Sequence, residues 1–229
     1  PSRARERAKS PAFPSYFLKP ATSVAIGPRT LVERPAGTEL LGFEGEIAIV
    51  IGTRARRVPV ERAWEHVGWV TASDDLGIYD LRYADAGSNL RSKGGDGFTP
   101  LGPAFIPAAD RRPGDFRLRT WLNGELVQEG TSDELLFDFP RLVADLSQLI
   151  TLEPGDVILT GTPSGASVAR PGDRIEVEVD VPGTDATSGR LETVVADGPG
   201  LAPELGAMPR LDDAQRVDAW GSPEKAGLP

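Results

Sequence analysis

The sequence predicts an α+β fold that is rich in β-structure and carries two or three helices. Pro-Gly-Asp occurs three times, at Pro113-Gly114-Asp115, Pro154-Gly155-Asp156 and Pro171-Gly172-Asp173, each launching an alternating apolar and polar run. Pro then Gly suits a type II turn, where Pro presets one φ and Gly accepts the positive φ that follows. Asn123-Gly124 separates Arg117–Leu122 from Glu125–Gln128 and signals a type I′ hairpin. Leu40-Leu41-Gly42-Phe43-Glu44-Gly45-Glu46-Ile47-Ala48-Ile49-Val50-Ile51, bounded by Gly52, reads as a strand.

The elements follow in order. Residues 1–15 are basic and Pro-rich and form an arm, and Tyr16-Phe17-Leu18 opens the ordered core. A short amphipathic helix is predicted over Val60–Val67 after Pro59, with Trp64 inward and His66 on its surface. Gly68–Ser73 is then a strand delivering Asp74 and Asp75. From Leu76 to Phe98 a loop rich in Gly, Asn and Asp exceeds 20 residues, too long for a connector and therefore a candidate functional loop. Pro140–Ile150 reads as a helix with Pro in its first turn, its Leu142, Leu146 and Leu149 stripe facing the core. Beyond Gly198 Pro and Gly recur and periodicity fades. The expected division is an arm (1–15), a catalytic domain (16–197) and a tail (198–229) packed on the domain or on a partner.

A chain of 229 residues, 39% hydrophobic and 26% charged, has the make-up of a soluble globular protein with a sizeable core. Its net charge of −9 argues against nucleic acid or an anionic membrane as a partner. No apolar run reaches the ~20 residues of a membrane span, and no signal-like segment opens the chain. It begins at Pro1 rather than methionine, so a preceding piece is expected. Arg3, Arg5, Arg7 and Lys9 read as a solvated face or mobile arm. The absence of cysteine excludes disulfides, thiolate zinc sites and cysteine nucleophiles; cytoplasmic residence is the expectation.

Glu44, Glu46 and Asp75 are the candidate site. Side chains two apart on a strand point the same way, and two like charges on an apolar strand are costly unless a cation lies between them. An exposed edge strand bearing solubilising acids is the alternative, and the aliphatic run after Glu46 argues against it. Asp75, ending the next strand, completes an all-oxygen triad suited to Mg²⁺, Mn²⁺ or Ca²⁺ rather than zinc. His66 is the sole imidazole, and no Gly-x-Ser-x-Gly elbow accompanies it, which discounts a Ser-His-Asp mechanism. Gly161-Thr162-Pro163-Ser164-Gly165 lacks the Lys-Ser/Thr ending of a phosphate loop.

Four segments in order carry a family resemblance: Gly42–Gly52, Asp75 five residues before Asp80, Lys93 seven before Pro100, and Gly155-Asp156-Val157-Ile158-Leu159-Thr160-Gly161-Thr162-Pro163. From about Ser2 to Val195 the chain resembles the fumarylacetoacetate hydrolase family. Asn89–Lys93 followed by Asp96–Pro103 most resembles its homoprotocatechuate-pathway decarboxylase/isomerase branch, which acts on 5-carboxymethyl-2-oxo-hex-3-ene-1,7-dioate and its 2-hydroxydiene product. The resemblance implies a mixed β-sandwich roll of the family's C-terminal domain type, assembled as a homodimer. It implies that Glu44, Glu46 and Asp75 ligate Mg²⁺ or Mn²⁺, that Lys93 reaches a small 2-oxo acid substrate, and that Thr162 binds its carboxylate with Gln128 nearby. Cleavage, decarboxylation and double-bond migration of such substrates all pass through an enolate, which a divalent cation stabilises.

Two departures shape the expected reaction. Family members often begin with His-x-x-Glu, a pair that activates water; here the matching stretch is Arg3-Ala4-Arg5-Glu6. Glu6 is retained as a candidate catalytic residue, while a permanently charged arginine cannot act as a base. That favours decarboxylation or isomerisation over hydrolysis. Many members also carry arginine where Tyr79 stands, so Arg82 or Arg91 is the candidate for the substrate's distal carboxylate. The leading expectation is a metal-dependent decarboxylase or isomerase of a 2-oxo dicarboxylate from aromatic catabolism. The alternatives are an acylpyruvate or fumarylacetoacetate-type C–C hydrolase, an oxaloacetate decarboxylase, and a binding protein that has lost catalysis.

Overall fold

The computed structural model describes residues 11–228. Thirteen strands are present among them: β1 (Val24–Ile26), β2 (Arg29–Ala36), β3 (Leu41–Phe43), β4 (Gly45–Ile51), β5 (Val67–Asp74), β6 (Gly77–Ile78), β7 (Thr99–Pro107), β8 (Arg117–Leu122), β9 (Glu125–Thr131), β10 (Val157–Leu159), β11 (Ser167–Ala169), β12 (Arg174–Asp180) and β13 (Leu191–Gly200). The helices are short: α1 (Val60–Ala63), α2 (Arg82–Asp85), α3 (Leu90–Lys93), α4 (Phe139–Ser147) and α5 (Asp213–Trp220). The β-rich α+β expectation holds, with five short α-helices among the described residues where the sequence suggested two or three.

Three sheets form, in the orders β1-β7-β5-β4-β10, β11-β3-β6 and β2-β13-β12-β8-β9. The pairs β1:β7 and β2:β13 are parallel and the others antiparallel, so two of the sheets are mixed. Alternation places Ile175, Val177 and Val179 of β12 in the core, where they join Phe43, Ile49, Phe116, Phe139 and Leu191. Burying a side chain of that size contributes about 1.5–3 kcal/mol. No helix among the described residues is long and apolar enough to cross a membrane.

The turn chemistry behaves as predicted at most positions. Asn123 and Gly124 take φ of 51° and 86°, the two positive values of a type I′ turn, and join β8 to β9. Gly155 and Gly172 take φ of 97° and 94°, as a type II turn needs at its third residue. Gly114 does not, so the first Pro-Gly-Asp is a different turn. Helix α4 opens as expected: Asp138 accepts a hydrogen bond from the Arg141 backbone N–H, and Pro140 lies in the first turn.

Four expectations need correction. The run 40–51 is not one strand: β3 and β4 belong to different sheets, and the chain changes sheet at Glu44. The 60–67 helix stops at Ala63 and tightens into a 3₁₀ turn over Trp64–His66, because Val67 is already needed to start β5. Trp64 does turn inward, stacking on Phe139 with ring centroids 5.8 Å apart. The 76–98 loop contains β6, a 3₁₀ turn at Tyr79–Leu81, α2 and α3; its local turns are too short to show in periodicity. Helix α4 ends at Ser147, leaving Leu149 87% exposed rather than in the core.

Candidate metal centre

The sheet change at Glu44 builds the site. Antiparallel pairing of β4 with β5 sets Gly45 opposite Asp74 and Glu46 opposite Ser73. Asp75, one residue past β5, donates its backbone N–H to the Glu44 carbonyl at 2.8 Å. Three acids from two strand ends thereby converge, with oxygens of Glu44, Glu46 and Asp75 all within 4.8 Å of one another. Glu46 and Asp75 are buried, Glu44 partly so. No other group of three or more such ligands gathers among the described residues.

Two lysines close on these acids. Lys93 Nζ donates to Glu44 Oε2 at 2.7 Å and to the Asp75 carbonyl at 2.7 Å, and lies 2.9 Å from Asp75 Oδ2. The stem of Lys93 fits because residue 77 is glycine: a methyl there would stand 2.7 Å from its Cδ. Lys19 donates to Asp75 Oδ1 and, at 2.9 Å, to the Phe98 carbonyl. With three carboxylates at −3 and two ammonium groups at +2, the cluster carries −1. A divalent cation has the sign to offset that charge and would leave +1 for an anionic substrate to meet.

Burial and its two acidic neighbours, Asp75 and Glu44, push the Glu46 carboxyl well above the usual range, against the Gly161 N–H that reaches Glu46 Oε2 at 2.6 Å. Burial opposes the charge on Lys93, but Asp75 and Glu44 outweigh it and raise its pKa. Lys19 goes the other way: burial lowers it and the Lys93 charge adds to that, against the upward pull of Asp75 and, less, of Glu46. The two lysines differ because Lys93 grips two acids and Lys19 one.

Two further groups frame the triad. The Tyr79 hydroxyl donates to Glu44 Oε1 at 2.8 Å, so both oxygens of Glu44 are held. Asp74 bonds the Glu44 backbone instead of joining the triad. Its Oδ1 accepts the Glu44 backbone N–H at 2.9 Å, and its buried Oδ2 has no hydrogen-bond partner. Burial raises the Asp74 pKa to about 7.

Thr162 and Gln128, predicted to meet the substrate, come together beside Glu46. Thr162 Oγ1 donates to the Gly45 carbonyl at 2.7 Å and accepts from Gln128 Nε2 at 2.8 Å. Gln128 Oε1 in turn accepts the Gly45 N–H at 3.0 Å. Arg82 is held by Asp218 at 2.6 Å, and Arg91 lies exposed on α3. Glu6 and Arg3 lie outside the described residues. His66 is outside the cluster, its Nδ1–H donating to the Arg54 carbonyl at 2.9 Å. Sequence reasoning missed Lys19, whose one signal is a lone lysine between Leu18 and Pro20, and gave Tyr79 no role in the site.

The donor set suits a hard divalent cation: three carboxylates, no nitrogen or sulfur, and a buried floor. Such a site can hold Mg²⁺ or Mn²⁺ through Glu44, Glu46 and Asp75.

The chain is 41% identical over 170 residues to a 4-hydroxyphenylacetate degradation bifunctional isomerase/decarboxylase from Salmonella dublin, a match covering 74% of this chain and 39% of that protein. The chain thus spans about two-fifths of the length of that relative. A 5-carboxymethyl-2-hydroxymuconate delta-isomerase structure from Mycobacterium smegmatis superposes with a TM-score of 0.73 at 38% identity, covering 82% of this chain and 71% of the other. A maleylpyruvate hydrolase structure from Sphingobium sp. SYK-6 gives 0.68 at 31% identity, covering 80% and 64%. The Fumarylacetoacetate (FAA) hydrolase C-terminal family model matches residues 2–196, and the chain belongs to that family.

Proposed function

We propose that this chain is a divalent-metal-dependent isomerase or decarboxylase of a 2-oxo dicarboxylate (or its 2-hydroxydiene form) from aromatic catabolism. The observation that carries the reading is the convergence of Glu44, Glu46 and Asp75 within 4.8 Å, with Lys93 and Lys19 on the same carboxylates. The relatives named as isomerase/decarboxylases support the reaction class.

In this reading Glu44, Glu46 and Asp75 hold Mg²⁺ or Mn²⁺, which supplies Lewis acidity toward the 2-oxo acid end of the substrate. Isomerisation takes a proton from one carbon and returns it to another. Decarboxylation needs a proton delivered after CO₂ leaves. Lys93 Nζ and Lys19 Nζ are the groups at the cluster able to hold that proton and to meet anionic oxygens. The Gln128–Thr162 pair orients a hydroxyl beside Glu46, in position to receive a carboxylate once it turns from the Gly45 carbonyl. The reading includes a homodimer, which light scattering of the purified protein tests.

The deciding experiment is proton NMR of the protein with Mg²⁺, incubated with 2-oxo dicarboxylates and acylpyruvates against an EDTA control. Metal-dependent loss of a dicarboxylate signal, with CO₂ loss or a shifted double bond, is the expected result. Likeness to the maleylpyruvate hydrolase favours a second reading, C–C hydrolysis. Release of pyruvate with a second acid would establish that reading in place of the first. Metal and oxo-acid binding without turnover would leave a non-catalytic binding protein.

A further inference from the structure

The C-terminal segment after β13 lies beyond residue 196, where the family model ends. It is clamped to the turn that carries Tyr79. The Arg210 N–H donates to the Asp80 carbonyl at 3.0 Å, and the Tyr83 hydroxyl donates to the Met208 carbonyl at 2.8 Å. Helix α5 then begins with a capping box: Asp212 accepts the Gln215 N–H while the Gln215 side chain accepts the Asp212 N–H. Its far end brings Asp218 to 2.6 Å from Arg82 and buries Ala219 in one cluster with Leu40, Tyr79 and Val168.

The Tyr79 ring is therefore held on several sides. Residue 42 is glycine, and a methyl there would stand 2.6 Å from Tyr79 Cε2, so the ring lies flush against the β3 backbone. The Arg82 guanidinium lies 4.3 Å from the ring centroid. A cation over an aromatic face is attracted by the ring's quadrupole, and a carboxylate partner on the guanidinium fixes it there further. Asp218 is that partner.

From the ring the contact continues to the acids. The Tyr79 hydroxyl holds Glu44 Oε1, and Lys93 holds Oε2. Lys93 is anchored independently by Asp75, whereas the Tyr79 hydroxyl goes where its ring is held. Partners behind a metal-binding carboxylate fix its orientation and tune affinity.

We propose that Asp218 is a positioning residue for the metal centre, acting through Arg82 and Tyr79 on the Glu44 carboxylate. The proposal rests on the metal-binding reading above. It makes the C-terminal helix part of the site without touching substrate or metal. The Arg82 and Asp218 side chains are 31% and 32% exposed, and a pair that open adds little to stability. The effect belongs in metal affinity more than in melting temperature.

The test is Mn²⁺ binding to the purified full chain, followed by electron paramagnetic resonance of the free ion, with the melting temperature of every variant measured beside it. Tyr79→Phe removes the hydroxyl and is expected to weaken Mn²⁺ binding about tenfold. Asp218→Ala is expected to weaken it about threefold or more, with Asp218→Glu recovering most of the loss. Because both changes act through one contact chain, the double variant should bind no more weakly than Tyr79→Phe alone.

Asp218→Ala binding Mn²⁺ like the parent, or losing stability without losing affinity, would overturn the proposal. Additive losses in the double variant would overturn it too. Should Asp218→Ala not fold, Asp218→Asn removes the charge at nearly constant shape and carries the same comparison. A parent that binds no Mn²⁺ removes the metal reading itself, an outcome distinct from the others.

Discussion

Replacing Asp74 with asparagine should flatten the pH dependence of stability in the metal-free protein. Asp74 is fully buried; one oxygen accepts the Glu44 N–H, and the other has no hydrogen-bond partner. Burial raises its pKa from 3.8 to about 7. A carboxyl raised in the folded state keeps a proton that the unfolded chain has already released. The folded protein is therefore favoured most below the unfolded value, and stability falls as pH climbs toward the folded one. At about 1.4 kcal/mol per pH unit, the loss between about pH 5 and pH 8 approaches 3 kcal/mol. For a chain of this size that is about 6–12 °C in Tm.

Asparagine keeps the acceptor for the Glu44 N–H and has no charge to desolvate. Its amide N–H groups meet the same partnerless space, at a cost of about 1–3 kcal/mol that does not vary with pH. The difference in Tm between parent and Asp74→Asn, measured by differential scanning calorimetry in EDTA across this range, isolates the slope. Glu46, also raised, tilts both proteins alike. Parallel profiles for the two proteins would refute the assignment of a buried, readily protonated acid at Asp74.

Three further outcomes follow from the cluster. Glu44→Gln should leave the circular dichroism spectrum unchanged and abolish Mg²⁺-dependent turnover; normal turnover would remove Glu44 from the metal set. Lys93→Met should lower kcat about 100-fold or more while changing Mn²⁺ affinity less, which steady-state kinetics and a Mn²⁺ titration separate. Gly77→Ala would put a methyl 2.7 Å from Lys93 Cδ and 2.9 Å from Cε. Forfeiting one charge-assisted hydrogen bond, worth about 1.5–3 kcal/mol, should cost about tenfold or more in kcat/KM. An Ala variant as active as the parent would show that the lysine stem has room to spare.

The sequence makes some of this arrangement legible and hides the rest for physical reasons. Glu44, Glu46 and Asp75 announce themselves because acids among aliphatics are costly, and pairing of β4 with β5 does bring them together. The Asn123-Gly124 hairpin is equally local: two residues with positive φ determine it. Lys19 belongs to a segment with no period to read, and only the closed fold carries it to Asp75. The sheet change at Glu44 is invisible for a related reason, since the apolar run continues on both sides of it while the hydrogen-bonding neighbours change. Leu149 looked like core because its spacing continued a stripe after the helix itself had ended. In sequence Tyr79 stands out only against the family pattern, and its bond to Glu44 depends on a ring seat made by Gly42 and a distant helix.

The parallel pairing of β2 with β13 has a consequence for how the protein is made. Arg29 lies opposite Glu192, and β1 likewise awaits Thr99–Leu101 of β7. Contacts so distant along the chain are slow to close, and a strand leaving the ribosome early must wait, unpaired, for its neighbour to be synthesised. Glu44 and Glu46 are thus translated long before the β2-β13-β12-β8-β9 sheet, whose Gln128 bonds Gly45 between them, can be completed. Ribosome-stalled chains ending ahead of Leu191 should retain no Mn²⁺, and loading should begin only after the last strand has emerged.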